Sequence, residues 1–132
     1  MADAVTSQTL QDGVKYAVMH FTNVSDGTGE SAVTKVDVSA LTARKDGKVP
    51  TAVAIEKIIY ICSGMVVRIL WDATTDVVAT TLDGYGTQDF STTGPLINNS
   101  GTGKNGDVLF TTVGHSSGDS YAITLKLRKS YD

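Results

Sequence analysis

The stretch YAITLKLR at residues 121–128 decides how the fold is read. Tyr121, Ile123, Leu125 and Leu127 alternate with Ala122, Thr124, Lys126 and Arg128, a period of two that puts an apolar face on one side and a solvated face on the other. This predicts a half-buried antiparallel strand. Working back, residues 65–72 place Met65, Val67, Ile69 and Trp71 on one face and Val66, Arg68, Leu70 and Asp72 on the other. Both faces carry apolar weight, as in an inner strand. Residues 53–62 behave similarly: Val53, Ile55, Ile59 and Ile61 share one parity, interrupted by Lys57, while Ile58, Tyr60 and Cys62 share the other.

Between these two runs lies Ser63-Gly64, a connection of the length that closes a hairpin, so residues 53–72 are predicted to form one. Residues 72–76 then turn the chain into a strand at 77–82, and Asp83-Gly84 turns it again into 85–90. Residues 14–24, 33–41 and 108–113 supply three more strands. Composition agrees: 18 Thr, 15 Val and 7 Ile are stiff, β-branched residues suited to a pleated surface, and 12 Asp with 13 Gly suit turns rather than helix interiors. The expectation is an all-β fold, an antiparallel β-sandwich or jelly roll of about eight strands.

A chain of 132 residues holds one core, expected as a single β-sandwich domain over residues 14–132 preceded by an N-terminal arm at 1–13, which is polar and lacks a strong apolar face. Residues 91–107, rich in Gly, Ser, Thr and Asn, are too long for a hairpin turn and read as a functional or mobile loop. A formal charge of −3 gives no electrostatic grip on phosphate backbones, so no nucleic-acid partner is expected. The first 13 residues lack the basic and apolar regions of a signal peptide, and no apolar run is long enough for a membrane helix, so a soluble, non-exported protein is expected. The single cysteine, Cys62, cannot form an internal disulfide and reads as a buried, inert side chain.

No motif of a hydrolase, zinc protease, nucleotide-binding loop or cysteine metal site is present, so no enzyme activity, catalytic residue, metal or cofactor is expected. His115, Ser116, Ser117 and Asp119 contain the types of a nucleophile and base, but neighbours on a turn point apart, which favours a solvated loop. Asp72, Asp76 and Asp83 lack calcium-loop spacing and are better explained as turn residues. His20 reads as a packed or hydrogen-bonded side chain. Tyr16, Tyr60, Tyr85, Tyr121 and Tyr131, with Trp71, could line a sugar platform; core packing is expected for most, with Tyr85 and Tyr131 the exceptions. The basic stretch Arg44-Lys45-Asp46-Gly47-Lys48 reads as a solvated turn.

From Lys57 to Lys129 the chain resembles small virion structural proteins of tailed bacteriophages. The resemblance is carried by Arg68-Ile69-Leu70-Trp71-Asp72 with the following Thr-Thr-Asp, by Asp89-Phe90, by Gly106-Asp107-Val108-Leu109 and by the closing strand at 123–129. Within that group the nearest role is the capsid decoration, or cement, protein. The resemblance implies a module assembled in the bacterial cytoplasm that sits on the outer capsid surface of the virion. There it would bridge subunits of the major capsid protein through residues 1–13 and 91–107, with self-association, as a trimer on local symmetry axes, a further expectation. The alternative is a host- or glycan-binding β-sandwich module of a tail or fibre, built on exposed aromatics and the loop at residues 91–107.

Overall fold

The computed structural model describes residues 4–13, 15–25, 27, 30–38, 41, 46–48, 50–90, 92–97, 106–114 and 116–130. Seven strands run in the order β1 (Ala4–Asp12), β2 (Tyr16–Val24), β3 (Val33–Val36), β4 (Ala52–Trp71), β5 (Val77–Asp89), β6 (Val108–Val113) and β7 (Ser120–Ser130). Every pairing is antiparallel, and the strands lie in the order β1-β2-β7-β4-β6-β3, with β5 on the other edge of β4.

β4 organises the molecule. Its first part, from Ala52 to Ser63, pairs with β7, and its last part, from Val66 to Trp71, pairs with β6, while β5 follows the opposite edge from Lys57 to Trp71. One layer therefore consists of β1, β2, β7, the start of β4 and the end of β5; the other holds β3, β6, the end of β4 and the start of β5. The inner faces meet in aromatic contacts between the layers. Phe21 of β2 meets Phe110 of β6 edge-to-face at 5.3 Å, and Phe110 meets Tyr121 of β7 at 5.8 Å. Around them Ile55, Ile58, Ile69, Trp71, Leu82, Ile123, Leu125 and Leu127 are fully buried. The all-β antiparallel sandwich expected from the alternating segments is the fold observed, with the apolar parity of β7 turned inward.

The internal connections differ from the expectation at two places. Ser63-Gly64 does not close a hairpin, and Asp83-Gly84 does not turn the chain: β4 and β5 pass through these points as continuous strands that bend together. Between the pairs Ile61↔Tyr85 and Val66↔Asp83, four residues of β4 face one of β5, Gly84. Gly64 has φ +81° and stands against Asp119, so the backbone kinks there, in a conformation glycine adopts at little cost, without reversing. The reversal comes at residues 72–76, where Ala73 N–H donates to Asp76 Oδ1 at 3.0 Å and Trp71 pairs with Val77. Two predicted hairpins thus become two long strands.

A strand is gained at the other end of the chain. The segment expected to stand off as an arm forms β1, paired with β2 from Ala4↔Val24 to Asp12↔Ala17. Residues 5–11 of β1 are exposed on both faces, so backbone pairing holds it rather than burial. Its end is clamped by Lys129, whose buried ammonium pairs with the Asp12 carboxylate and donates to the Gly13 carbonyl. The crossing from β2 to β3 is held similarly. Glu30 is buried, accepts from Tyr121 Oη at 2.5 Å and pairs with Lys35, while its backbone N–H donates to Thr112 Oγ1 at 2.8 Å.

Candidate functional site

The first layer presents a broad outer face to solvent. A one-residue bulge makes it so: the β4–β7 register shifts between Ile55 and Lys57, so Ile55 and Val53 face the core whereas Ile59 and Ile61 face out. Reading parity alone assigned these four isoleucines and valines to one face. The signal that could have separated them is Lys57, the charged residue that interrupts their run.

Two rows cross this face from edge to edge. The first runs Thr6, Thr22, Ala122, Ile61 and Tyr85; the second runs Gln8, His20, Thr124, Ile59 and Thr87. Tyr85 is 83% exposed, Ile61 55% and Ile59 49%, an apolar patch centred between β4 and β5. Hydroxyl and imidazole groups border it. The Thr6 and Thr22 hydroxyls are hydrogen-bonded to each other, and His20 Nδ1 lies 2.8 Å from Thr124 Oγ1. The arrangement offers one aromatic face, an aliphatic floor and a margin of donors and acceptors, the features of a site that stacks a ring and hydrogen-bonds its rim.

The other aromatic residues are placed elsewhere. Trp71 and Tyr121 are core, Tyr60 packs against the core from the inner side of β4, and Tyr16 lies beneath two lysines. Tyr131, Arg44, Lys45 and His115 lie outside the described residues. Of the basic stretch, Asp46 and Lys48 are described, exposed and joined by a hydrogen bond from Lys48 N–H to Asp46 Oδ1. Ser116 and Asp119 belong to the turn between β6 and β7, where Ser116 N–H donates to Asp119 Oδ2 at 2.8 Å.

Asp76 closes the β4–β5 turn and Asp83 stands at the bend of β5, so the three aspartates at 72, 76 and 83 are spread along one hairpin. Among the described residues no three His, Cys, Asp or Glu side chains gather to hold a metal ion. Burial raises the Asp107 carboxyl above its ordinary value, opposed by the Val38 N–H that it accepts and assisted by Asp37 and Asp72. Cys62 is buried; burial, then the charge of Asp83, pushes its thiol up to about 11. In the 91–107 loop, Leu96 forms an isolated antiparallel bridge to Ile55, Ile97 is exposed, and residues 91 and 98–105 lie outside the described set.

No protein-family model and no curated protein matches the chain. A solved structure that is similar to it is a mutant carbohydrate-binding module of family 29, studied for its mechanism of ligand recognition. The two are 9% identical, with a TM-score of 0.39, over 95% of this chain and 85% of that one. At this level of similarity a functional reading rests on the chain's own residues.

Proposed function

We propose that the chain is a non-catalytic binding module that takes a saccharide on the outer face of its first layer, with Tyr85 as the stacking platform. The observation that supports this most is the exposure of Tyr85 on a sheet row beside Ile61. An aromatic ring this far out of the core contributes little to packing, and a sugar ring has the matching form, an apolar C–H face with hydroxyls around its edge. Thr87, the next outward residue along β5, and Thr124, in the neighbouring row on β7, offer hydroxyls to the edge of a bound sugar chain.

The test is a glycan array followed by affinity electrophoresis, comparing the natural chain with Tyr85→Ala. Binding to at least one saccharide is expected, with a loss of tenfold or more on truncation, about 1.4 kcal/mol. Retention of full binding by Tyr85→Ala would refute the platform, and a chain that binds no glycan would refute the reading.

A second reading is favoured by the aliphatic character of the floor. Ile59 and Ile61 beside a tyrosine also make the core of a protein interface. On that reading the chain is a phage capsid decoration protein whose outer face docks on the major capsid protein at the head surface. Co-sedimentation with expanded heads that is lost in Ile59→Lys, with no glycan bound, is its expected result.

A further inference from the structure

We propose, resting on the saccharide reading, that the ligand is an anionic polysaccharide, held by a cationic end of the same face. Along β7 the outward residues after Ala122 and Thr124 are Lys126 and Arg128. Lys126 stands directly opposite Lys57 of β4, and Arg128 stands opposite Tyr16 of β2. Lys126 Nζ lies 4.9 Å and Lys15 Nζ 5.3 Å from the centre of the Tyr16 ring, which draws a fourth cation to this corner.

Like charges set directly opposite across a sheet repel, and Lys57 and Lys126 are so placed. Among the described residues no ion pair engages Lys15, Lys57, Lys126 or Arg128. The acidic residues set near them are Asp89, opposite Lys57, and Glu56, in the bulge before it. The face is therefore locally positive in a chain whose formal charge is −3. A localised cationic field on an acidic protein selects anions at one place rather than over the whole surface.

The geometry links this end to the ring. From Ala122, in the Tyr85 row, to Arg128 is six residues of one strand, about 20 Å at about 3.4 Å per residue. An oligosaccharide that stacks on Tyr85 and runs obliquely across β4 to β7 meets Lys57, which has Asp89 on its other side, then Lys126 and Arg128, where carboxylate or sulfate groups would be bound. A nucleic acid fits less well, because among the described residues Tyr85 is the one ring standing clear of this face, Tyr16 lying beneath two lysines, while successive bases need several.

Binding of polygalacturonate, a sulfated glycosaminoglycan and a neutral glucomannan is measured at low and high salt, for the natural chain, for Tyr85→Ala and for the combined Lys57→Gln, Lys126→Gln and Arg128→Gln variant. The expected result is at least tenfold tighter binding of one anionic polymer than of the neutral one, a preference erased by salt, since charges beyond about 10 Å are screened at 0.1 M. The two anionic arms separate carboxylate from sulfate recognition. The triple variant is expected to lose the preference and keep neutral binding, whereas Tyr85→Ala loses both; the salt dependence of the natural chain tests the idea even if the triple variant does not fold. Salt-independent binding of the neutral polymer alone overturns the anionic ligand and leaves the saccharide reading standing. Binding to none of the three polymers, with none on the array, overturns both. Tighter binding of a single-stranded oligonucleotide than of either anionic polysaccharide overturns the ligand class.

Discussion

Replacing Gly64 by alanine tests whether the bend of β4 shapes the sandwich. Gly64 has φ +81°, and an added Cβ would lie 2.3 Å from Asp119 Oδ1 and 2.5 Å from its Cγ. The left-handed backbone costs a non-glycine residue about 1–2 kcal/mol. Asp119 must also swing away, giving up the bond that Ser116 N–H donates to its Oδ2, which as a bond to a charged group contributes about 1.5–3 kcal/mol. Stiffening of the unfolded chain returns about 0.4–1 kcal/mol. The net loss is about 2–4 kcal/mol. Gly84, across the same bend, has φ +73° with nothing within 4 Å of an added Cβ, so Gly84→Ala carries the backbone cost alone, about 1 kcal/mol after the same offset. Urea denaturation separates the two: with an m-value of about 1.5 kcal/mol/M, Gly64→Ala moves the midpoint down by roughly 1.3–2.7 M and Gly84→Ala by less than about 1 M. In an Asp119→Ala background the clash is gone, and Gly64→Ala falls to the level of Gly84→Ala. Equal costs at the two glycines, or additivity with Asp119→Ala, would refute the argument.

Two further outcomes follow from the buried polar groups. Lys129→Met replaces a buried ammonium with an apolar chain of similar reach and leaves Asp12, which is partly exposed, able to find water, so it changes stability by less than about 1.5 kcal/mol; Asp12→Ala removes the counter-charge and leaves the ammonium the Gly13 carbonyl, and is the more damaging change, by up to about 3 kcal/mol, read by thermal or urea denaturation. Cys62 keeps its proton in the folded chain until about pH 11 but releases it near pH 9.0 when unfolded. Between those values the native state binds more protons at this thiol, so its contribution to stability falls as pH rises, and the slope should be less steep in Cys62→Ala than in the natural chain; denaturation midpoints across that range check it.

The parts of the fold legible in the sequence are those where one apolar parity persists. β6 occupies the predicted residues 108–113, and β7 extends the predicted strand by a residue or two at each end. Residues 53–72 misled because a hairpin and a bent strand leave the same trace: two apolar runs separated by Ser-Gly. What distinguishes them is partner supply, since β7 and β6 lie end to end along one edge of β4, a long-range fact that local pattern does not carry. β1 was invisible for the opposite reason. It buries neither face, so it has no apolar period, and its place depends on backbone bonds to β2 and on the Asp12–Lys129 pair, whose partners lie at opposite ends of the chain.

Tyr85 was legible as an exposed ring because glycines flank it, but the floor beside it was not, and a single charge explains why. Continued without a bulge, β4 would turn Lys57, Ile59 and Ile61 inward and Ile58 and Tyr60 outward. With the bulge at Glu56 it buries Ile58, half-buries Tyr60 and sends Lys57 out. The apolar content of the two alternatives is similar, at about 1.5–3 kcal/mol per buried large side chain, whereas an unpaired buried ammonium costs several kcal/mol. The lysine therefore decides the register. Keeping it in water is what moves Ile59 and Ile61 beside Tyr85 and aligns Lys57 with Lys126, so both halves of the proposed binding face descend from one inserted residue.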